Sequence, residues 1–387
     1  MSKLRVLLLM HGLHLTGAPR IALDVMEALS GETEVWTVAL QLGPLEERAR
    51  ALGRVDAIGD PADRVSAAKR LIRRQQRPAL SAALAAWKPD LIYVNSVAAL
   101  PALRWVRLPD SVPLLLHVHE LHSYLEHYAA AYPDEMLHRP DRYVAVSEPV
   151  RRALVSDLGV AEAKVTLMHE FVPDGAVAAT EALFRQRDGQ QGDPPVVGGA
   201  GRVDLRKAPT LWLQTARCLT DRMGEGRVRF TWVGLGDDDA SRQFRVMARQ
   251  LGLSEHVTFV PVTPEPLPHF AGFDAFAMTS WEDPCPIVVL EAMLLGKPVA
   301  CFDGSGGAPE EVGDTGLIVP EFSPARMAEA LATLFAEPGR RAAMGRAARE
   351  RVRDRFSAAA QVPRIRAEIQ RLAGREVDSS GGGGGAI

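Results

Sequence analysis

Two carboxylates eight residues apart, Asp283 and Glu291, stand in the run Trp281-Glu282-Asp283-Pro284-Cys285-Pro286-Ile287-Val288-Val289-Leu290-Glu291-Ala292-Met293. If residues 285–295 form a helix, the surface neighbours of Glu291 are Ile287, Val288, Leu294 and Leu295. A carboxylate in such an apolar stripe loses its hydration and must find hydrogen-bond donors. Asp283 stands just before the helix, and one acid at its mouth with one inside it suggests a polyol ligand. Pro284-Cys285-Pro286 opens the helix, where proline gives up only an amide that has no intrahelical partner. The other first-turn amides face outward at the positive end of the dipole, available to an anion. The plainer alternative is a buried amphipathic helix whose glutamate is tied to a lysine, with Asp283 or Glu282 as its cap.

A second group of candidates lies in Gly201-Arg202-Val203-Asp204-Leu205-Arg206-Lys207-Ala208-Pro209, with cations beside a helix start at a strand end. Open α/β folds bind ligands there, and basic residues at a helix N-terminus oppose the macrodipole unless an anion compensates them. A solvated basic loop is the alternative. Gly17-Ala18 follows the first strand and opens a helix. His119, with Glu120 beside it, ends an apolar strand, and His117, His122 and His127 crowd the same stretch. No His-x-x-x-His pair on one helix face supports a metal. Gly306-Gly307-Ala308-Pro309-Glu310 reads as a turn before a proline-started helix. Gly199-Ala200-Gly201 and Gly234-Leu235-Gly236 also follow strands, but Asp204 and Asp239 occupy the third-glycine positions of a dinucleotide fingerprint. A nicotinamide cofactor is therefore disfavoured, and tight strand-to-helix turns account for these glycines.

Taken in this order along the chain, the pieces resemble retaining glycosyltransferases of family 4 (glycosyl transferases group 1), whose GT-B fold has two facing Rossmann-like domains with an interdomain cleft. The family's Glu-x7-Glu signature matches Asp283 and Glu291 in spacing, with aspartate as the first acid and Pro286 where a glycine is expected. The resemblance implies that Glu291 binds the nucleotide ribose hydroxyls, that Asp283 reaches hydroxyls of the donor sugar, and that backbone amides near Ile287 and Val288 meet the phosphates. It implies that Arg202 and Lys207 hold the donor diphosphate, with Ala208 where the family usually has glycine. Gly17 would lie against the donor phosphate, His119 next to the donor sugar, and Gly306, Gly307 and Glu310 would shape the donor pocket. His119, Asp283 and Glu291 are thus the expected catalytic residues. Retention would follow from front-face attack with no protein nucleophile and no cofactor or metal, the diphosphate charge being met by protein cations.

The elements that must position these groups follow from composition and pattern. At 387 residues the chain is long for one core, and 47% hydrophobic content supports two well-filled ones. Short apolar runs alternate with helical periodicity from end to end, the pattern of an α/β chain with parallel sheets covered on both faces. Strands are expected over 4–10, 35–40, 91–95, 113–117, 142–146 and 165–168, then over 196–200, 229–233, 257–260, 275–278, 299–302 and 317–319. A long helix is expected over 62–87, with further helices after Ser147 and near Lys207, Asp239, Pro264, Pro286, Pro309 and Pro324. The polar stretch 185–195 reads as a surface linker. The last helical stretch, 358–373, spaces Val362, Ile365, Ile369 and Leu372 on one face. The expected domains are 1–172 for the acceptor and 173–356 for the sugar nucleotide. Residues 357–373 would cross back to the first domain, and 374–387 would form a disordered tail.

A net charge of −3 gives no sign of nucleic-acid binding. Three cysteines, Cys218, Cys285 and Cys301, match neither a disulfide framework nor a zinc site, and a reducing cytoplasm fits. No stretch approaches the roughly 20 apolar residues of a membrane helix. Arg70, Arg73, Arg74 and Arg77 could face acidic lipids at the inner face of the membrane, although a solvated basic helix end explains them as well. The expected partners are a nucleotide-sugar donor and a saccharide or glycolipid acceptor, in polysaccharide or glycolipid assembly. Two alternatives are a sugar-nucleotide epimerase or hydrolase of the same architecture, using the histidine cluster, and a non-catalytic nucleotide-sugar binding protein.

Overall fold

A computed structural model describes residues 2–59, 67–187 and 193–374, with the backbone alone at 67–76 and 187. The described strands form two wholly parallel sheets. The first contains β1 (Leu4–Met10), β2 (Thr33–Ala39), β3 (Gly53–Ala57), β4 (Leu91–Asn95), β5 (Leu114–Val118), β6 (Arg142–Ala145) and β7 (Val165–Leu167), in the order β3-β2-β1-β4-β5-β6-β7. The second contains β8 (Val196–Ala200), β9 (Arg229–Leu235), β10 (Val257–Pro261), β11 (Ala275–Met278), β12 (Val299–Phe302) and β13 (Leu317–Val319), in the order β10-β9-β8-β11-β12-β13. Each is a doubly wound, Rossmann-like sheet, and in each the strand order reverses next to the first strand. β1 is nearly all leucine, valine and methionine because both its faces are covered by helices. Against the second sheet, Trp212 and Phe244 from two helices pack with Phe230 and Trp232 of β9, edge to face and tilted, with centroids 5.3–6.5 Å apart.

The chain divides into two compact units, Met1–His169 joined by the segment from Ala359 onward, and Glu170–Ala358. The helix Asp174–Arg187 belongs wholly to the second unit, so the polar stretch 185–195 does not join the halves. Residues 188–192 of that stretch, 62–66 of the expected long helix, and 375–387 of the expected tail lie outside the described residues. The long helix is observed over Ala67–Trp87. Its Arg77 packs over the Trp105 ring and is half-buried, so this member of the basic cluster does not stand out into solvent. The side chains of Arg70, Arg73 and Arg74 are not described.

Among the elements that the sequence pattern did not mark are β3 and the helix Pro338–Arg355. β3 is a short edge strand with one buried residue, Val55, between charged Arg54 and Asp56, so no apolar run marks it. The helix Pro338–Arg355 is rich in alanine and arginine and buries Arg341 and Arg349 beside Ala348 and Val352, so it lacks an apolar stripe. Arg341 pairs with the buried Asp274 at 3.2 Å, and Arg349 with Glu181 at 2.5 Å. Among the described residues no helix is long and apolar enough to cross a membrane.

The helix Ala358–Leu372 buries Val362, Ile365 and Ile369 within the first unit. Its Glu368 accepts hydrogen bonds from Thr166 (2.8 Å) and Arg142 (3.2 Å), while its Arg366 pairs with Glu32 at 3.2 Å. Each buried aliphatic side chain contributes about 1.5–3 kcal/mol, so three approach the net stability of a whole domain. A chain ended after Phe356 should therefore lose the cooperative unfolding of its first unit in a thermal scan. A truncated chain that melts like the full one would show that this helix adds nothing.

Candidate active site

In the second unit, the loops that follow β8, β11 and β12 meet at Asp283. The Asp283 amide donates to the Ser305 carbonyl (2.8 Å), and the Gly307 amide donates to the Asp283 carbonyl (2.8 Å). These two bonds lock the β11 and β12 loops as a short parallel bridge between Asp283 and Gly306. A Cβ on Gly307 would stand 2.2 Å from the Pro284 carbonyl oxygen, so only glycine allows this approach. From the β8 loop, the Arg206 carbonyl accepts from the Trp281 amide (2.9 Å), and the Arg206 guanidinium donates to the Glu282 carbonyl (3.2 Å).

The Asp283 side chain is buried and receives the Lys207 ammonium in a direct charged hydrogen bond, with Arg206 at 3.7 Å from its other oxygen. Two residues expected to serve different parts of one ligand therefore hold each other. A phosphate arriving here would share a cation already oriented by Asp283. Arg202 stands apart from this pair: it is exposed, and its charge is felt by Asp238, which caps the helix Asp239–Gln250. Arg206, absent from the sequence-based assignment, takes its place beside Asp283. Ala208 adopts φ 45° and ψ 53°, the left-handed region. Glycine enters that region without penalty, whereas alanine carries about 1–2 kcal/mol of strain.

The helix that follows begins at Ile287, not Cys285, and runs to Leu294. Pro286 precedes it with extended backbone and no side-chain cap, so Ile287 and Val288 supply the first amides at the positive end. Glu291 is buried on this helix, and Val288 is half-buried. Beyond the bridge, Glu310 and Glu311 lie on the short helix Ala308–Val312. Glu310 is half-buried, whereas Glu311, unmarked by any sequence motif, is wholly buried and accepts a hydrogen bond from the Cys285 thiol (3.0 Å). Burial, then the nearby acids, hold the Glu311 carboxyl well above the usual carboxylate range. Burial first, then Glu311, pushes the Cys285 thiol up as well.

In the first unit, a polar cluster forms where β1, β4 and β5 end, at that sheet's switch point. The Asn95 amide nitrogen donates to the Ala18 carbonyl (3.0 Å), and its oxygen therefore accepts from His119 Nε2 (2.9 Å). Asn95 thus connects His119 to the start of the helix Gly17–Ala28 and sets the histidine tautomer. Glu120 is buried, accepting from the His119 amide (2.8 Å) and from the Ser96 hydroxyl. Ser96 holds this place with φ 81°, a backbone strain of the kind stored at functional sites. His11 joins this cluster: burial lowers its pKa, the Glu120 charge opposes that, and His119 and His14 add to it. Asn95, Ser96, His11 and His14 were missed by sequence reasoning, although polar residues directly after buried strands were the available signal.

The other histidines separate from His119 in role. His117 is fully buried, bonded to the Tyr93 hydroxyl (2.6 Å), and held neutral by burial and by His119. His122 pairs with Asp157 at the surface, and His127 lies exposed against the Tyr128 ring. Among the described residues no three His, Cys, Asp or Glu side chains group as a metal site requires.

Residues 15–174 match the sequence profile of Glycosyltransferase Family 4, and residues 181–351 match that of Glycosyl transferases group 1. The chain is 32% identical over 239 residues to a D-inositol 3-phosphate glycosyltransferase of Kineococcus radiotolerans, covering 56% of this chain and 54% of that protein. It is 35% identical over 195 residues to a GDP-mannose-dependent alpha-(1-6)-phosphatidylinositol monomannoside mannosyltransferase of Mycolicibacterium smegmatis, covering 46% and 47%. The chain spans about half the length of the curated relatives it matches. Among solved structures, Anabaena HepE in complex with UDP and glucose is similar, with TM-score 0.73 at 19% identity over 95% of this chain and 100% of that one. Sucrose-phosphate synthase from Thermosynechococcus elongatus has TM-score 0.74 at 20% identity, covering 96% and 99%.

Proposed function

We propose that this chain, which belongs to the family 4, group 1 glycosyltransferases, transfers a sugar from a nucleotide-sugar donor to a hydroxyl of a saccharide or glycolipid acceptor, with retention of anomeric configuration and without a metal. The observation that carries this reading is the meeting of three strand-end loops on Asp283, with Lys207 in direct contact and the first amides of the Ile287–Leu294 helix following it. As the glycosidic bond of a donor breaks, charge develops on the leaving diphosphate. Preorganised cations and amides stabilise that charge without reorganising at the moment of reaction. Lys207, Arg206 and Arg202, with the amides of Ile287 and Val288, are the groups that would do so.

On this reading Asp283 orients hydroxyls of the donor sugar, Glu291 grips the ribose hydroxyls, and the Gly306-Gly307 turn with Glu310 shapes the donor pocket. For the first unit the reading keeps acceptor binding, with Gly17 at the phosphate and His119 as the polar group that meets the sugar. Front-face attack needs no protein nucleophile: the acceptor hydroxyl enters on the side from which the phosphate leaves, and the departing phosphate oxygen can take its proton. The names of the relatives make an inositol phosphate and a phosphatidylinositol mannoside the first acceptors to try, and UDP- and GDP-sugars the first donors.

Incubating the protein with these pairs and reading the product's anomeric coupling by proton NMR tests the proposal directly. Retained configuration with release of nucleoside diphosphate is expected; inversion, or free sugar formed without acceptor, would count against it. A second expectation concerns metals. Activity should survive EDTA within about twofold, because protein cations meet the phosphate charge. Complete loss restored by manganese or magnesium would contradict this site assignment.

A further inference from the structure

Glu311 has no solvent exposure, and its two oxygens differ: Oε1 accepts from the Cys285 thiol at 3.0 Å, while Oε2 has no hydrogen-bond partner. Among the described residues no ion pair reaches this carboxyl. The titratable groups that face it are acidic or neutral: Asp283 and Cys285 from the loop after β11, Glu170 at the start of the second unit, Glu310 on its own helix, and Cys301 on β12. Arg351 donates to the backbone carbonyls of Glu311 (2.7 Å) and Glu310 (2.9 Å). A buried carboxylate surrounded by acids and without a cation cannot be solvated, and keeping its proton is the favourable solution.

The partner it holds is not incidental. Cys285 is the middle residue of the Pro284-Cys285-Pro286 turn, between Asp283 and the helix Ile287–Leu294. The two flanking prolines bring no amide to fasten this turn. Its polar tethers include the Asp283 bridge to the β12 loop on one side, and the Cys285–Glu311 bond and a Glu170 backbone hydrogen bond to Cys285 beneath it.

We propose that Glu311 is a neutral carboxylic acid and a positioning residue: through Cys285 it sets the turn that places Asp283 and the opening of the Ile287–Leu294 helix. The inference rests on the donor-site reading for its effect on turnover, but not for its protonation.

The test compares the full-length protein with its Glu311→Gln and Glu311→Leu variants, using UDP, GDP, UDP-glucose and GDP-mannose as probes. Glutamine copies the neutral acid and still accepts from Cys285; leucine keeps the bulk and cannot. At neutral pH the wild-type protein should show a carboxylic-acid C=O infrared band that Glu311→Gln lacks. The pH dependence has a definite sign. A carboxyl held above its unfolded value, about 4.3 for glutamate, contributes full stability below that pH and loses it progressively as pH rises toward the folded value. Glu311→Gln should therefore melt within a degree of wild type near pH 4 and a few degrees higher at pH 8. With the nucleotide sugar that the wild type uses, Glu311→Gln should keep kcat/KM within about threefold. Glu311→Leu should lose at least tenfold and bind the nucleoside diphosphate more weakly, because the Ile287 and Val288 amides move with the turn.

An unchanged infrared band, or a Glu311→Gln variant that melts lower at pH 8, would overturn the neutral acid. A Glu311→Leu variant with wild-type turnover would overturn the positioning role, and if that variant does not fold, a Glu311→Gln loss of tenfold or more in kcat/KM overturns it instead. Failure of the wild type to bind any of the four probes would strike the donor-site reading and leave the infrared and melting results to decide the protonation.

Discussion

Changing Glu291 to glutamine should weaken nucleoside diphosphate binding by about two orders of magnitude while the melting temperature of the free protein moves by no more than about 2 °C. Glutamine keeps the volume but removes the charge that would accept hydrogen bonds from two ribose hydroxyls. Each charge-assisted bond is worth roughly 1.5–3 kcal/mol, so weakening two reaches that size. The residue sits in a helix whose described positions are nearly all buried, and it is itself only 4% exposed. If the carboxylate served chiefly as half of a buried structural pair, breaking that pair would cost about 3–5 kcal/mol of stability and leave nucleotide affinity alone. Calorimetric titration and a thermal scan on one preparation separate these outcomes. Normal binding with easier unfolding would make Glu291 structural.

Lys207→Met is the second large effect. Removing a preorganised donor from the site of developing charge costs about 10²–10³ in turnover, so activity on the nucleotide sugar should nearly vanish. The same change strips the buried Asp283 of its direct partner and leaves Arg206 at 3.7 Å, so the variant should also be less stable. These two losses are separable. In Lys207→Met/Asp283→Asn the orphaned charge is gone, and the melting temperature should return most of the way to that of the wild type, whereas turnover should not. Asp283→Asn alone should bind nucleoside diphosphate nearly normally and turn over the sugar nucleotide poorly. A double variant that regains activity along with stability would mean that Lys207 acts only as the counter-ion of Asp283.

What the sequence disclosed and what it withheld have physical reasons. The central strands were legible because both faces are buried: Leu4–Met10 and Leu91–Asn95 are apolar runs bounded by polar residues, and their limits agree with the observed ones. β3 and the helix Pro338–Arg355 were not, since an edge strand with one buried residue and a helix that buries arginines carry no hydrophobic period. Of the candidate site, the resemblance singled out Asp283 and the Gly306-Gly307 turn, which a backbone bridge joins. It could not show that Lys207 is bonded to Asp283, a contact across 76 residues made by two loops. Nor could it separate Glu310, which the motif marks, from its neighbour Glu311, which the fold buries. The Lys207-Ala208 departure from Lys-Gly was visible as a letter. That it forces alanine into the left-handed region is a backbone fact.

On the proposed reading, the second unit holds the nucleotide through the loops that meet at Asp283. Hydrogen–deuterium exchange of the wild-type protein, with and without saturating UDP or GDP, addresses it without any mutation. Whichever nucleotide binds should slow exchange at residues 201–208, at the amides of Ile287 and Val288, and in the turn at Gly306 and Gly307. A bound nucleotide whose protection is confined to the first unit, leaving those three segments exchanging as in the free protein, would mean that the donor site is not at Asp283.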